Sequence, residues 1–126
     1  MPAEQKLPAP DQVPRQWVGA PPELAELDAA INQAQLVALD TEFIRERTYF
    51  PKLALLQCCI DQQPSAYLLD PTTLNLTNFW STLVSSDATV AIHAGSQDLE
   101  LILQQAGTLP ENLFDTQICL LYTSDA

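Results

Sequence analysis

Three apolar runs, 36 to 43, 53 to 60 and 66 to 70, follow one another along the chain, each bounded by turn-forming residues, and the last closes on Asp70-Pro71. Runs of this kind, rich in Leu, Val, Ile and Cys and short of strict alternation, read as strands of a sheet covered on both faces. Before them, Pro21-Pro22 opens a segment with Leu24, Leu27 and Ile31 at helical spacing, which predicts a helix over 22–33. After them, Leu76, Phe79, Trp80 and Leu83 predict a helix over 75–86, and Thr89 to His93 reads as a further strand. A last helix is expected over 96–106, stopped by Gly107 in the position of a C-terminal cap. The order is helix, three strands, helix, strand, helix. It implies an α/β domain whose first three strands form a meander.

The chain has 126 residues and is 47% apolar, enough for one compact domain with an ordinary core and not for two. Residues 1–15, MPAEQKLPAPDQVPR, hold four prolines and no sustained apolar run, so they read as a disordered, solvated leader and not as a secretory signal. No stretch approaches the roughly 20 apolar residues of a membrane span, and the expected location is the cytoplasm, away from membranes. Cys58, Cys59 and Cys119 form no C-x-x-C pattern, and an adjacent pair on a strand points to opposite faces, so neither a disulfide framework nor a zinc site is expected. Five basic residues against sixteen acidic ones give a formal net charge of −11, which opposes unassisted binding to a polyanion. If a nucleic acid binds here, metal ions must bring the positive charge.

The first strand ends in Asp40-Thr41-Glu42-Phe43. Residues two apart on a strand share a face, which places the Cα atoms of Asp40 and Glu42 about 6.5 to 7 Å apart on one side. Two such carboxylates can bracket a pair of divalent metals, which in phosphoryl-transfer sites lie about 3.5 to 4 Å apart. On this pair alone, a strand end emerging into water accounts for the acids at least as well. A second segment, AIHAGSQDLELILQQAG from 91 to 107, runs from a strand through a small-residue turn into the last helix. Leu99, Ile102, Leu103 and Ala106 make its expected buried stripe; Asp98 falls on the border of that stripe, and Leu101 lies outside it beside Asp98. An apolar residue facing away from the core next to an acid suggests the wall of a cleft. An acid in the first helical turn is also favoured by the macrodipole, by up to about 1 kcal/mol, and both readings can hold together.

These segments, with Tyr49-Phe50-Pro51-Lys52-Leu53 through Gln57, His93-Ala94-Gly95-Ser96-Gln97-Asp98-Leu99-Glu100 and Phe114-Asp115-Thr116-Gln117, resemble ribonuclease D, a bacterial member of the DEDD-type 3′-5′ exonucleases. The resemblance runs from about Trp17 to Ile118. It implies a ribonuclease H-like mixed sheet with flanking helices, and hydrolysis of RNA from the 3′ end with two divalent metal ions, Mg²⁺ or Mn²⁺, notably on transfer RNA precursors. Carried over by position, Asp40, Glu42 and Asp98 resemble the metal-ligating, catalytic acids. Thr41, Phe43 and Gln97 match positions that line the terminal nucleotides, to which Leu101 is added as a cleft wall. Asp115 matches a family position too, and its simplest role is to cap the helix beginning there. On this basis 16–118 is a partial 3′-5′ exonuclease domain and 119–126 a tail foreign to the family.

The family's third motif, Y-x-x-x-D, supplies a tyrosine and a fourth carboxylate, and these 126 residues do not contain it. Tyr122 and Asp125 are one residue too close and come too soon after the second motif. The expectation is a chain truncated before the last strand and the third-motif helix, one side of its sheet uncovered, with little or no activity of its own. Among rivals, a serine hydrolase built on His93 and Ser96 lacks the G-x-S-x-G elbow, and a strand-end histidine is more often structural. A dinucleotide fold lacks G-x-G-x-x-G, and an aspartic protease lacks the glycine after D-T and a second copy. Two alternatives stay open: a non-catalytic RNA-binding remnant, and a DNA-directed exonuclease sharing the same acids. Arg45, Arg47 and Lys52 could meet a phosphate backbone while Tyr49 and Phe50 stack on bases, or could form a solvated loop. No protein partner can be read from the sequence.

Overall fold

A computed structural model describes residues 9–44, 52–93 and 95–117. The loop residues Arg45, Arg47, Tyr49 and Phe50, together with Cys119, Tyr122 and Asp125, lie outside the described residues. After a short 3₁₀ turn at Pro10–Gln12 the elements are β1 (Arg15–Val18), α1 (Pro21–Gln33), β2 (Leu36–Ile44), β3 (Lys52–Ile60), β4 (Ala66–Leu69), α2 (Thr77–Ser85), β5 (Thr89–Ile92), α3 (Ser96–Ala106) and β6 (Leu113–Asp115). They build a six-stranded mixed sheet in the order β1-β4-β3-β2-β5-β6. The strands β2, β3 and β4 form the expected antiparallel meander. Around it, β1 lies parallel to β4, β5 parallel to β2, and β6 parallel to β5.

Every element expected from periodicity is present, with ends shifted by one or two residues. The expected order lacked β1 and β6. Each is only three or four residues long, too short to show a period of its own, and becomes a strand by pairing with a neighbour. The pairing at β1 is opened by the amide of Ala66, which donates to the carbonyl oxygen of Pro14 at 2.9 Å.

Strand register decides where the core sits. Val18, Val37, Leu39, Leu56, Cys58, Leu69 and Val90 share one face, and all are buried. Leu24, Leu27 and Ile31 of α1, Phe79, Trp80 and Leu83 of α2, and Ile102 of α3 close over that face in a single cluster. Phe79 and Trp80 meet edge to face, with ring centroids 5.2 Å apart. Cys58 is inside this cluster and burial pushes its thiol up to about 12, while Cys59 faces the other way and is exposed. The run-like strands suggested a sheet covered on both faces, and the missing third-motif helix suggested that one side would be bare; among the described residues the helices lie on one face only. The other carries Trp17, Leu36 and Phe114, at 53%, 44% and 44% exposure, on the same side as Asp40. No described helix is long and apolar enough to cross a membrane.

Candidate active site

The strand β2 is longer than its neighbour. It pairs with β5 only over Leu36–Ala38, so from Asp40 onward that edge of β2 has no strand beside it among the described residues. The ends of the parallel strands are where ligands collect in α/β sheets, and α3 enters this space directly after β5 ends. Its first turn brings Asp98 against β2, where the hydroxyl of Thr41 donates to Asp98 Oδ1. On the β3 side, pairing passes from Glu42–Leu55 to Phe43–Leu53 and leaves Ala54 over as a bulge. Bulges of this kind re-aim side chains and recur beside active sites.

Two expectations about side-chain direction come out differently. Thr41 pairs with Leu56 and points to the helix-covered face, so Asp40 and Glu42 point from the opposite face and are exposed. Among the described residues no three His, Cys, Asp or Glu side chains are gathered closely enough to hold a metal ion. On α3 the buried arc is centred on Ile102, fully buried, with Asp98 at 7% exposure beside it; Leu103, expected in the stripe, is 50% exposed. At about 100° per residue Leu103 lies a full step around the helix from Ile102, too far to reach the sheet. Leu101 is half-buried and lines a cavity of about 470 Å³ together with Lys52, Leu53, Trp80 and Gln105. Phe43 is half-buried and Gln97 exposed.

The acids nevertheless share one electrostatic neighbourhood. Burial is the largest influence on Asp98 and raises its carboxyl above the ordinary value of 3.8; the hydroxyl of Thr41 opposes this, and the charges of Asp40, Asp115 and Glu42 raise it further. Like charges held near a buried carboxylate favour uptake of a proton or a cation. An all-oxygen, negatively charged donor set is also what hard divalent ions such as Mg²⁺ and Mn²⁺ take. In chemical type and charge Asp40, Glu42 and Asp98 suit a divalent cation, while in position they are not gathered into a three-ligand group.

Sequence reasoning left unassigned the part of the molecule that fixes the start of α3. The amide of Gly95 donates to Asp115 Oδ2 at 3.1 Å, and the amide of Gln117 to Asp115 Oδ1 at 2.9 Å, so Asp115 does cap the turn that follows it and also holds the turn before α3. The hydroxyl of Thr116 donates to the carbonyl of Ile92 at 3.2 Å, which leaves its oxygen to accept from His93 Nδ1 at 2.7 Å. His93 thus has a structural partner. Gly95 is required by packing, since a Cβ there would lie 2.1 Å from Ile92 Cδ1.

The sequence profile of the 3′-5′ exonuclease family matches residues 15–120. Ribonuclease D of Zymomonas mobilis is 42% identical over 101 residues, covering 78% of this chain and 25% of the relative. Ribonuclease D of Escherichia coli is 46% identical over 99 residues, covering 75% of this chain and 25% of the relative. The crystal structure of E. coli RNase D, an exoribonuclease involved in structured RNA processing, superposes with a TM-score of 0.76 at 35% identity, covering 89% of this chain and 30% of that one. The chain spans about a quarter of the length of the curated relatives it matches. Its mixed six-stranded sheet, its acid-bearing strand and helix, and the length of the profile match together place this chain in the 3′-5′ exonuclease domain family, alongside the ribonucleases D.

Proposed function

We propose that this chain carries the acid-bearing part of a 3′-5′ exoribonuclease of the ribonuclease D type, acting on the 3′ ends of structured RNA such as transfer RNA precursors. The observation that carries the proposal is the meeting of α3 with β2. Asp98 is nearly buried, is held by Thr41 of the strand that bears Asp40 and Glu42, and feels the charge of both acids. The description of the E. coli relative as an exoribonuclease supports RNA as the substrate.

Asp40, Glu42 and Asp98 would hold two divalent cations, Mg²⁺ or Mn²⁺. When bound, such ions supply a water of lowered pKa and stabilise the leaving 3′ oxygen. The chain's own part is to gather negative charge on β2 and the first turn of α3, to orient Asp98 through the Thr41 hydroxyl, and to offer the Leu101 wall, with Thr41, Phe43 and Gln97, to the terminal nucleotides. Residues 16–118 then form a partial exonuclease domain. By themselves they have little or no activity, because the tyrosine and fourth carboxylate of the family's third motif are not among these 126 residues.

The test uses the enzyme completed with that motif, given a 3′-hydroxyl RNA. Mononucleotides are released only with Mg²⁺ or Mn²⁺, and Asp40→Ala abolishes release; a completed Asp40→Ala protein as fast as its parent would show the metal-site assignment to be wrong. A second reading, a non-catalytic RNA-binding remnant, is favoured by the absence of a ready three-ligand group among the described residues. It predicts RNA binding indifferent to Mg²⁺. Release of nucleotides from DNA in preference to RNA would instead assign a DNA-directed member of the superfamily.

A further inference from the structure

We infer that Asp115 is a positioning residue for Asp98, acting through the backbone of Gly95 at the head of α3. The inference goes beyond the proposed function and rests on it only in naming Asp98 as a working residue.

The two parallel strands β5 and β6 end side by side, with Ile92 opposite Asp115. Beyond that pair the two chain segments are bound together by polar contacts. Asp115 takes the Gly95 amide with one carboxylate oxygen and the Gln117 amide with the other. The Thr116 hydroxyl donates a hydrogen bond to the Ile92 carbonyl and accepts one from His93 Nδ1. A carboxylate accepting backbone amides at 2.9 and 3.1 Å makes charge-assisted hydrogen bonds, the stronger kind. The Ile92 side chain occupies the space in which a Cβ on Gly95 would lie.

Gly95 lies one residue before α3, and its carbonyl accepts the amide of Leu99, closing the turn that contains Asp98. That turn has no side-chain cap of its own at Gly95. Asp115 therefore sets the position of the turn from outside the helix, through the strand next door, and Thr41 meets Asp98 from the other side. A displacement of the helix head by about 1 Å is enough to misplace a reacting group.

Amide hydrogen exchange on the full 126-residue chain tests this. Asp115→Ala is expected to speed exchange at Leu99 at least tenfold while the amides of Trp80 in α2 and of Ser86 at its C-cap keep their rates, and to weaken Mn²⁺ binding at least fivefold in a chain that is still folded at the assay temperature. Asp115→Asn, which keeps an acceptor oxygen, recovers part of both. If Asp115→Ala fails to fold, Thr116→Val, which removes the neighbouring pair of contacts, should loosen Leu99 in the same selective way. Unchanged Leu99 exchange, or equal acceleration in α2 and α3, overturns the inference. Absence of Mn²⁺ binding by the parent chain counts against the proposed function and leaves the exchange result to decide the role of Asp115.

Discussion

Thr41 of β2 and Asp98 of α3, far apart in sequence, are joined by a hydrogen bond from the threonine hydroxyl to the aspartate carboxylate. The contact ties the helix to the covered face of the strand whose other face displays Asp40 and Glu42. Thr41→Val keeps the shape and removes the donor, leaving a nearly buried carboxylate without it. The expected cost is about 1–2 kcal/mol at pH 7, read from urea unfolding. No change in midpoint would mean that the contact contributes nothing to the fold.

A cation bound among the acids stabilises the folded chain by mass action. At ten times its dissociation constant Mn²⁺ should add about 1.4 kcal/mol, and Asp40→Asn or Asp98→Asn should remove most of the gain. Thermal unfolding with and without Mn²⁺ measures it. An equal shift in the parent and both variants would place the ion elsewhere.

Asp28 on α1 carries a buried carboxylate oxygen without a hydrogen-bond partner among the described residues, and burial holds its carboxyl above the ordinary value of 3.8. The native chain then keeps a proton that the unfolded chain has released. The stabilising contribution of Asp28 is complete below about pH 3.8 and is lost as pH rises through the higher folded value. Asp98 behaves in the same sense, and Asp70, held low by Thr72, in the opposite one. Asp28→Asn is expected to be more stable than the parent at pH 7 and indistinguishable from it at pH 3.5. A series of urea midpoints from pH 3.5 to 7 decides, and a variant weaker at pH 7 would refute the assignment.

Gly95→Ala drives a methyl into Ile92, which is itself buried. Overpacking of this kind costs about 1–3 kcal/mol. Ile92→Val removes Cδ1, the atom met at 2.1 Å, so the double variant should be more stable than the sum of the two single losses. Strict additivity in the double-mutant cycle would show that the two residues do not compete for that space.

Leu101 and Ile102 are neighbours with different tasks. Ile102 is fully buried, whereas Leu101 lines the cavity beside Lys52. Ile102→Ala should cost about 2–5 kcal/mol. Leu101→Ala should cost less than half as much, while in the completed enzyme it raises KM for RNA. Equal losses of stability would make Leu101 a core residue and remove it from the cleft.

The sequence by itself determined the interior elements. Leu24, Leu27 and Ile31 recur at helical spacing, the runs on β2, β3 and β4 are bounded by turns, and Gly107 stops α3 in a left-handed conformation. Each of those signals is local, because a helix or a long strand buries a face that its own residues define. The acids Asp40, Glu42 and Asp98 stood out as candidates only through the family resemblance, since the spacing of Asp40 and Glu42 also suits a strand end in water. Tertiary structure alone decided the rest. Strands of three or four residues exist only through their neighbours, as at Arg15–Val18 and Leu113–Asp115. The direction of a side chain near a strand end depends on which face the helices choose, so Thr41, and neither flanking acid, meets Asp98. The hold of Asp115 on Gly95 spans two strands and is invisible to any window along the chain, since hydrogen bonds between segments depend on distance in space and not on separation in sequence.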